Sequence, residues 1–233
     1  MNKRVKIVML LEGEFLDDIR VKKEALSLSK IADVVVISSN MARLPEREVF
    51  ENIEIIRINA ISTKREKFFY DTVVALTRFH SLFYKAAAAY IENQERVILH
   101  IHDLPLVGTG VKLKENFDQV KFLISDFHEN YPEGLKGWNR KRKNPIVRWR
   151  NSLFFGQKRW TKYEGYAIEH SDKVIAVIEE MKDYLVEKHS IPSSKIFLVP
   201  NSTYASFGNE LRDLTLANKK EEEFIVLYIG GIG

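Results

Sequence analysis

Apolar and polar positions alternate along the chain in blocks that predict strands and helices in turn. Short apolar runs are typical of strands buried on both faces of a sheet, and the longer segments between them carry apolar residues at helical spacing. The predicted strands are 5–11, 34–38, 53–58, 97–101, 120–125, 173–177 and 195–199, and the predicted helices are 18–30, 67–94, 104–115, 145–170 and 179–188. This alternation predicts the α/β class with a doubly wound parallel sheet.

The last fifteen residues have a different organisation. Residues 219–223 form a charged run typical of a linker, and residues 224–229 form another buried-type strand that leads into a glycine-rich segment. A strand followed by such a segment normally continues into a helix whose N-terminus binds phosphate. We therefore expect one domain over residues 1–218, and a linker with the first strand of a truncated second domain over residues 219–233.

Composition excludes several classes of protein. The 233 residues are 45% hydrophobic and 29% charged, as in ordinary globular proteins. The chain contains no cysteine, which excludes disulfides and thiolate metal sites and fits a reducing cytoplasm. The apolar run Ile7–Leu11 is too short for a signal peptide, and no stretch approaches the about 18 apolar residues of a membrane span. We expect a cytoplasmic protein.

The net charge of +4 conceals one strongly basic segment. Residues 135–163 contain ten basic side chains and no Asp or Glu, so the rest of the chain holds 26 basic and 32 acidic groups. The ten are Lys136, Arg140, Lys141, Arg142, Lys143, Arg148, Arg150, Lys158, Arg159 and Lys162. The basic character is a local patch, which indicates an anionic partner at this segment.

The basic segment also carries every tryptophan of the chain. Trp138, Trp149 and Trp160 are eleven residues apart, close to three helical turns. One interpretation is an interfacial helix whose basic side chains and Trp anchors bind anionic lipid. The other, which we favour for Trp149 and Trp160, is an amphipathic helix that packs its Trp stripe on the sheet.

The contact with an anionic membrane or acceptor is instead predicted for the run without apolar periodicity. This run includes Arg140, Lys141, Arg142 and Lys143. It would place the protein peripherally on the inner face of the membrane. RNA binding would need the same charge, but no recognised RNA-binding motif accompanies it, so no nucleic-acid partner is expected.

The most informative stretch is a polar corner after the strand 120–125. Asp126, His128 and Glu129 follow the apolar run directly, and Pro132 and Gly134 are expected to block regular structure beyond them. Open α/β sheets bind their ligands at the carboxyl ends of their strands. The alternative is a polar loop that merely caps the strand.

Two other strand ends carry polar side chains. Alternation places His100 and His102 on one face of their strand and Asp103 opposite; we expect a core position for His100 and cleft positions for the other two. A His-x-His-x-Asp spacing can ligate a metal, but the sequence places no further ligand nearby, so no metal is expected. Arg20, in the first turn of the first helix, can bind a phosphate or carboxylate or pair with Asp17 or Glu24.

Three motifs resemble one family of enzymes. Asp126-x-His128-Glu129-x-Tyr131-Pro132-Glu133 resembles the D-x-H-E-x-Y-P-E signature of a GT-B glycosyltransferase subgroup, in the large retaining family that includes sucrose and mannosyl transferases. Asp18, Arg20, Val21, Glu24 and Ala25 match its D-x-R-V-x-x-E-A stretch, and residues 100–103 its H-x-H-D. The resemblance implies the amino-terminal, acceptor-side half of a GT-B fold with a Rossmann-like sheet, and residues 219–233 as the start of the donor-binding domain.

The resemblance also implies roles for single residues. His128 is expected to be catalytic, reaching the donor sugar and diphosphate, with Asp126 or Glu129 fixing the tautomer of a neutral imidazole. Arg20, His102, Asp103, Asp126, Glu129 and Asn201 are expected to contact substrate. Asn201, in a stretch that resembles the V-I-P-N-G-V preceding the interdomain linker, borders the same cleft. No cofactor is implied, because the nucleotide sugar is a substrate.

The function implied is that of a retaining hexosyltransferase. It would move a sugar from a nucleotide-sugar donor to a lipid-linked or polysaccharide acceptor, as in polysaccharide biosynthesis. The isolated chain is expected to be inactive, because the family's donor-binding half would have to come from a further domain or a separate chain. The alternative is a non-catalytic acceptor-binding or membrane-recruiting subunit of a split glycosyltransferase.

Overall fold

The computed structural model describes residues 4–59, 63–140 and 144–202. The strands are β1 (Lys6–Leu11), β2 (Asp33–Asn40), β3 (Arg47–Phe50), β4 (Ile53–Asn59), β5 (Val97–His102), β6 (Val120–Phe127), β7 (Lys173–Ala176) and β8 (Ile196–Leu198). The helices are α1 (Ile19–Leu28), α2 (Lys64–Thr77), α3 (Ser81–Ile91), α4 (Leu104–Asn116), α5 (Tyr131–Arg140), α6 (Pro145–Phe154), α7 (Gln157–His170) and α8 (Glu179–His189), with a short 3₁₀ helix at Ser193–Lys195.

The eight strands form one sheet in the order β3-β4-β2-β1-β5-β6-β7-β8. Every neighbouring pair is parallel except β3 and β4, which form an antiparallel edge. The order reverses direction at β1, so the right-handed crossovers on the two sides of β1 lie on opposite faces of the sheet. The predicted fold class, a doubly wound parallel α/β sheet, is confirmed.

The sheet buries a separate hydrophobic layer on each face. Alternate residues of β1 show the division, because Val8 and Leu10 point into one layer while Met9 and Leu11 point into the other. The larger layer is covered by α3, α4, α7 and α8, and the smaller one by α1. Burial on both faces explains why the central strands read as continuous apolar runs.

The long helix predicted over 67–94 is in fact two helices, α2 and α3. Arg78 ends α2 in the left-handed conformation, with a φ of 58°, and its guanidinium lies 3.9 Å from the Trp160 ring centroid. The backbone N–H of His80, which precedes α3, donates to Thr109 Oγ1 at 2.8 Å. Tertiary contacts therefore break a segment whose apolar pattern is continuous.

The helix predicted over 145–170 is also interrupted, and the break corrects one of the tryptophan assignments. α6 ends at Phe154 and α7 begins at Gln157 after Gly156. Trp160 is buried, as predicted, whereas Trp149 is 67% exposed, and its predicted packing on the sheet was wrong. The interruption turns the two halves of the expected Trp stripe in different directions.

Two further elements were not predicted. Helix α5 begins at Tyr131 although Pro132 and Gly134 were expected to block regular structure; a proline in the first helical turn lacks only an N–H that has no intrahelical partner there. Strand β3 lies in a segment predicted to be a polar loop, and it pairs with β4 through a tight turn in which Glu51 has a φ of 53°.

The chain separates into a compact unit of residues 1–200 and a second unit, Asn201–Gly233, of which the structure describes only the first two residues. The predicted linker and strand over 219–233 lie outside the described residues, so that division stays a prediction. Among the described residues, no helix has the length and apolarity needed to span a bilayer.

Candidate functional site

Polar side chains from adjacent strands meet at the carboxyl edge of the sheet. β5 and β6 end side by side, with His102 paired to Asp126 in the strand register. His100 lies two residues before His102 on β5, and His128 lies directly after β6. Arg20 comes from the first turn of α1. These side chains, together with Glu24, form a polar cluster that is mostly buried.

Asp126 is the centre of the polar cluster, and its side chain is fully buried. Its Oδ1 accepts a hydrogen bond from Arg20 Nη2 at 3.0 Å, and its Oδ2 lies 3.5 Å from His128 Nε2 and 3.6 Å from His100 Nε2. Burial alone raises the pKa of Asp126, but the hydrogen bonds from His100 and His128 and the nearby histidine charges outweigh it. The net pKa is well below the usual range, so this carboxylate is ionised.

Arg20 binds the protein's own carboxylates. Its Nη2 lies 3.0 Å from Glu24 Oε1 as well as bonding Asp126, and its Nη1 donates to the Val199 carbonyl at 2.9 Å. Both alternatives weighed from the sequence are partly present, since the guanidinium forks onto a carboxylate and also pairs with Glu24 along the helix. Arg20 therefore links α1 to Asp126 of β6 and to Val199, directly after β8.

His128 is held by carboxylates on both sides of its ring. Nδ1 lies 3.5 Å from Asp103 Oδ1, and Nε2 lies 3.2 Å from His102 Nδ1 as well as near Asp126. Burial lowers the pKa of His128, but the Asp126 hydrogen bond and the charges of Asp103 and Asp126 raise it by more. This environment favours the charged imidazolium over the neutral ring that was expected.

His102 is the neutral neighbour of that imidazolium. It is fully buried, and burial together with the adjacent His100 lowers its pKa well below the usual value. His102 Nδ1 and His128 Nε2 share one hydrogen bond at 3.2 Å. His100 is buried, as expected, but its ring centroid is 4.3 Å from that of His102, which makes it part of the polar cluster.

Glu24 is a member of the polar cluster that the sequence indicated only as a partner for Arg20. Burial raises the pKa of Glu24 to about 8, and the charge of Asp126 acts in the same direction. At neutral pH this carboxyl is therefore mostly protonated. Its position four residues after Arg20, on the same helical face, was the available signal.

The polar cluster has the donor set of a metal centre but a different charge arrangement. Glu24, His100, His102 and Asp126 each offer one ligand atom, all within 4.8 Å of one another. Folding thus supplies ligands that the sequence did not place near the histidines. Arg20 already lies 3.0 Å from both carboxylates, however, and a metal ion there would sit against a guanidinium. The arrangement fits an ion-pair network better, and the absence of a metal stays a prediction.

A pocket of about 210 Å³ opens at the same edge of the sheet. Glu12, directly after β1, lines it; the residue is exposed, yet partial desolvation raises the pKa of its carboxyl, while Lys67 opposes the shift. Pro105, two residues after Asp103, also lines the pocket, which places the pocket beside the polar cluster. Lys67 and Asp71 of α2 and Arg150 of α6 supply further charges to the walls.

Aromatic side chains form the apolar part of the pocket. Tyr131 and Trp160 line it with their ring centroids 4.7 Å apart. The Arg78 guanidinium stacks on Trp160, and burial lowers the pKa of Arg78 to about 10. Tyr131 belongs to the sequence signature, but its place in a pocket wall depends on the unpredicted helix α5.

The sequence of this chain matches the model of one protein family. The model for Glycosyltransferase Family 4 matches residues 27–204, which is well over half of the chain. The chain belongs to glycosyltransferase family 4. No curated protein sequence is significantly similar to it.

Two solved structures show the same fold as this family 4 domain. Sucrose-phosphate synthase from Thermosynechococcus elongatus aligns with a TM-score of 0.60 at 15% identity, over 90% of this chain and 53% of that one. A second structure of that synthase aligns at 0.55 and 17% identity, over 89% of this chain and 98% of that one. The family 4 domain therefore has the Rossmann-like half of a GT-B fold and spans about half the length of the first synthase chain.

The family 4 domain brings together most of the predicted site residues. Those in or touching the polar cluster are Arg20, His102, Asp103, Asp126 and His128. Asp103 approaches His128 from a strained backbone with a φ of 68°. Glu129 is exposed, although partial desolvation raises its pKa, and Asp103 rather than Glu129 lies beside the second nitrogen of His128.

Two groups of predicted site residues stay predictions. Asn201 is exposed and belongs to the second unit, so its predicted place at the cleft is untested. Residues 141–143 lie outside the described residues, as does the side chain of Arg140 at the end of α5. Their predicted contact with an anionic membrane or acceptor stays untested.

Proposed function

We propose that this family 4 domain is the acceptor-side, amino-terminal half of a retaining glycosyltransferase that transfers a hexosyl group from a nucleotide sugar. The observation that carries this proposal is the buried network that places His128 between Asp103 and Asp126 at the carboxyl edge of the sheet and raises its pKa. Ligands of open α/β sheets bind at this edge. No cofactor is invoked, because the nucleotide sugar is itself a substrate.

His128 is the residue that would touch the donor. Its Nδ1 is 3.5 Å from the partly exposed Asp103, on the side of the ring away from the buried Asp126, so a sugar or phosphate oxygen can compete for that proton donor. An imidazolium there stabilises the negative charge that develops on the departing nucleotide phosphate. Asp126 keeps the ring charged and oriented, and Arg20 holds Asp126 in place.

The adjoining pocket is suited to a polar acceptor. Glu12 and Asp71 can accept hydrogen bonds from hydroxyl groups, Arg150 and Lys67 can bind an acidic group, and Tyr131 offers an aromatic wall. These groups support a glycan or the head of a lipid-linked molecule as acceptor. We place the enzyme in the cytoplasm, peripheral to the inner face of the membrane.

The proposal is tested by His128→Ala in the enzyme that carries this domain together with its donor-binding half. We expect turnover of the nucleotide sugar to fall by about 10²–10³-fold, the usual cost of removing one donor that stabilises a developing negative charge. The matched control is His170→Ala, an exposed histidine of α7 outside the polar cluster. Equal activity of the two variants would refute the role of His128.

The alternative, a non-catalytic acceptor-binding subunit, predicts a different outcome. In that case the joined enzyme would bind acceptor but turn over no donor, with or without His128. Retention is tested separately by the anomeric configuration of the product, read by NMR.

A further inference from the structure

The outer surfaces of α2 and α6 carry apolar side chains that no described residue covers. Phe69, Val73 and Leu76 are spaced by four and three residues along α2, and Ile146, Trp149 and Leu153 by three and four along α6. Each set therefore forms one stripe on its helix. All six side chains are exposed, and together they are called the α2–α6 face.

The two stripes belong to neighbouring helices. Arg150 of α6 places its guanidinium 4.4 Å from the ring centroid of Phe68 on α2 and donates to the Phe68 carbonyl at 3.4 Å. Helix α2 also buries Val74 and Ala75 against the domain. A helix with apolar residues on two sides normally packs against a partner on each side. The described residues of this domain cover only the side of α2 that carries Val74 and Ala75.

The exposed area is concentrated in large aromatic residues. Trp149 is 67% exposed and Phe69 is 57% exposed. Other exposed apolar residues of the described chain, such as Ile31, Met41 and Ile178, are single, apart from the run Phe197–Val199 at the edge strand β8. Scattered residues need no explanation, whereas a stripe on two adjacent helices indicates a binding surface.

The charge around the face selects an anionic partner. Helix α6 contains two arginines and no acidic residue, and the basic run 140–143 immediately precedes it in sequence. A second copy of the chain would bring the same positive charge against this face. Tryptophan and phenylalanine beside Lys and Arg are the side chains that settle at the boundary between lipid headgroups and acyl chains.

We propose that the α2–α6 face docks the protein on the surface of an anionic bilayer. The inference rests on the proposed function in one respect, because the acceptor pocket lies between the same two helices, with Lys67 and Asp71 on α2 and Arg150 on α6. A lipid-linked acceptor could then present its polar head to the pocket while its chains stay in the bilayer. This geometry selects a lipid-linked acceptor over a soluble polysaccharide.

The test is flotation of the full chain with vesicles of phosphatidylcholine alone or with about 30% phosphatidylglycerol. The variants are Trp149→Ser and Phe69→Ser, and the matched controls are Ile31→Ser and Phe197→Ser, which remove similarly exposed residues elsewhere. All four positions are at the surface, so thermal unfolding should confirm that every variant folds.

We expect binding to the anionic vesicles only, weakened about tenfold by either face substitution and unchanged by either control. Raising the salt concentration should weaken it further. Equal loss in face and control variants, or equal binding to neutral vesicles, would overturn the proposal. So would a concentration-dependent dimer that Trp149→Ser dissociates, because a second copy would then cover the face.

Failure of this inference can be separated from failure of the proposed function. Vesicle binding needs no donor, so His128→Ala should bind vesicles as the unmodified protein does. If the unmodified enzyme does not bind vesicles but still turns over the nucleotide sugar with a soluble acceptor, the docking proposal alone fails. Loss of turnover in His128→Ala with normal vesicle binding would leave both proposals standing.

Discussion

At the scale of residues, the site depends on a balance of charge in a buried volume. Asp126 stays ionised because Arg20 donates to it and His100 and His128 lie within 3.6 Å of its Oδ2, whereas Glu24 stays mostly protonated. Removing one partner from a buried ionic network costs about 3–5 kcal/mol, because the other charge is left uncompensated. The network therefore holds His128 rigidly but ties the stability of the fold to pH.

Glu24→Gln tests this dependence on pH. The folded-state pKa of about 8 lies above the ordinary value of 4.5, so between these values the folded chain binds the extra proton and its stability falls as pH rises. Between pH 5 and 8, we expect the free energy of unfolding of the Glu24→Gln variant to decrease less steeply with pH than that of the unmodified chain. The difference should be up to about 1 kcal/mol per pH unit. Denaturant titrations at several pH values measure the slope.

The control for the pH experiment is Glu180→Gln, an exposed residue of α8. It should leave the slope unchanged. If Glu24→Gln leaves the pH dependence of the free energy of unfolding unchanged, other groups, such as His128, determine that dependence.

At the scale of elements, close backbone contacts decide where helices can pack. Gly108 of α4 donates its N–H to Tyr163 Oη at 2.6 Å, and a Cβ at this position would meet the Arg78 carbonyl at 2.2 Å. The same carbonyl belongs to the residue that ends α2. A glycine in the middle of α4 therefore permits the helix break that positions Arg78 over Trp160.

Gly108→Ala and Gly137→Ala form a matched pair that tests this packing. A Cβ at Gly108 would overlap backbone atoms and should destabilise the domain by about 3 kcal/mol. A Cβ at Gly137, within α5, meets nothing within 4 Å and should stabilise by up to about 1 kcal/mol. The free energies of unfolding give both values, and similar effects at the two positions would contradict the packing argument.

At the scale of the whole molecule, one sheet and its two core layers account for the described domain. All eight strands and both layers lie before Pro200. Domains with a single continuous core normally unfold in one cooperative transition. The polar cluster at the sheet edge should be lost in the same transition, because its members come from two strands, β5 and β6, and from α1.

A chain ending at Ser202 tests whether residues 1–202 fold without the rest of the sequence. We expect it to unfold cooperatively within about 3 °C of the full chain, since it keeps the whole sheet. Calorimetry of the two chains provides the comparison. A broad, non-cooperative transition would show that residues beyond 202 complete the fold and would support a boundary nearer the predicted residue 218.

Most of the fold was predictable because strand and helix periods are local properties. The β–α order was predicted except for β3 and α5, and two predicted helices proved to be four. Those breaks depend on contacts between distant segments, such as Arg78 on Trp160, which leave no mark in the apolar pattern. The strand-end residues of the site were predictable because parallel strands end at one edge. The pocket walls were not, since they need the packing of α2 against α6.

By itself, the sequence determined the doubly wound sheet, the family motifs and the group of polar residues at the strand ends. Only the tertiary structure decided which partners these residues take and which tryptophan is covered. Trp149 and Trp160 share the same spacing and composition, yet the turn at Gly156 buries one and exposes the other. Periodicity specifies which side chains share a face of a helix, but only the packing of whole elements decides whether that face meets the core or the solvent.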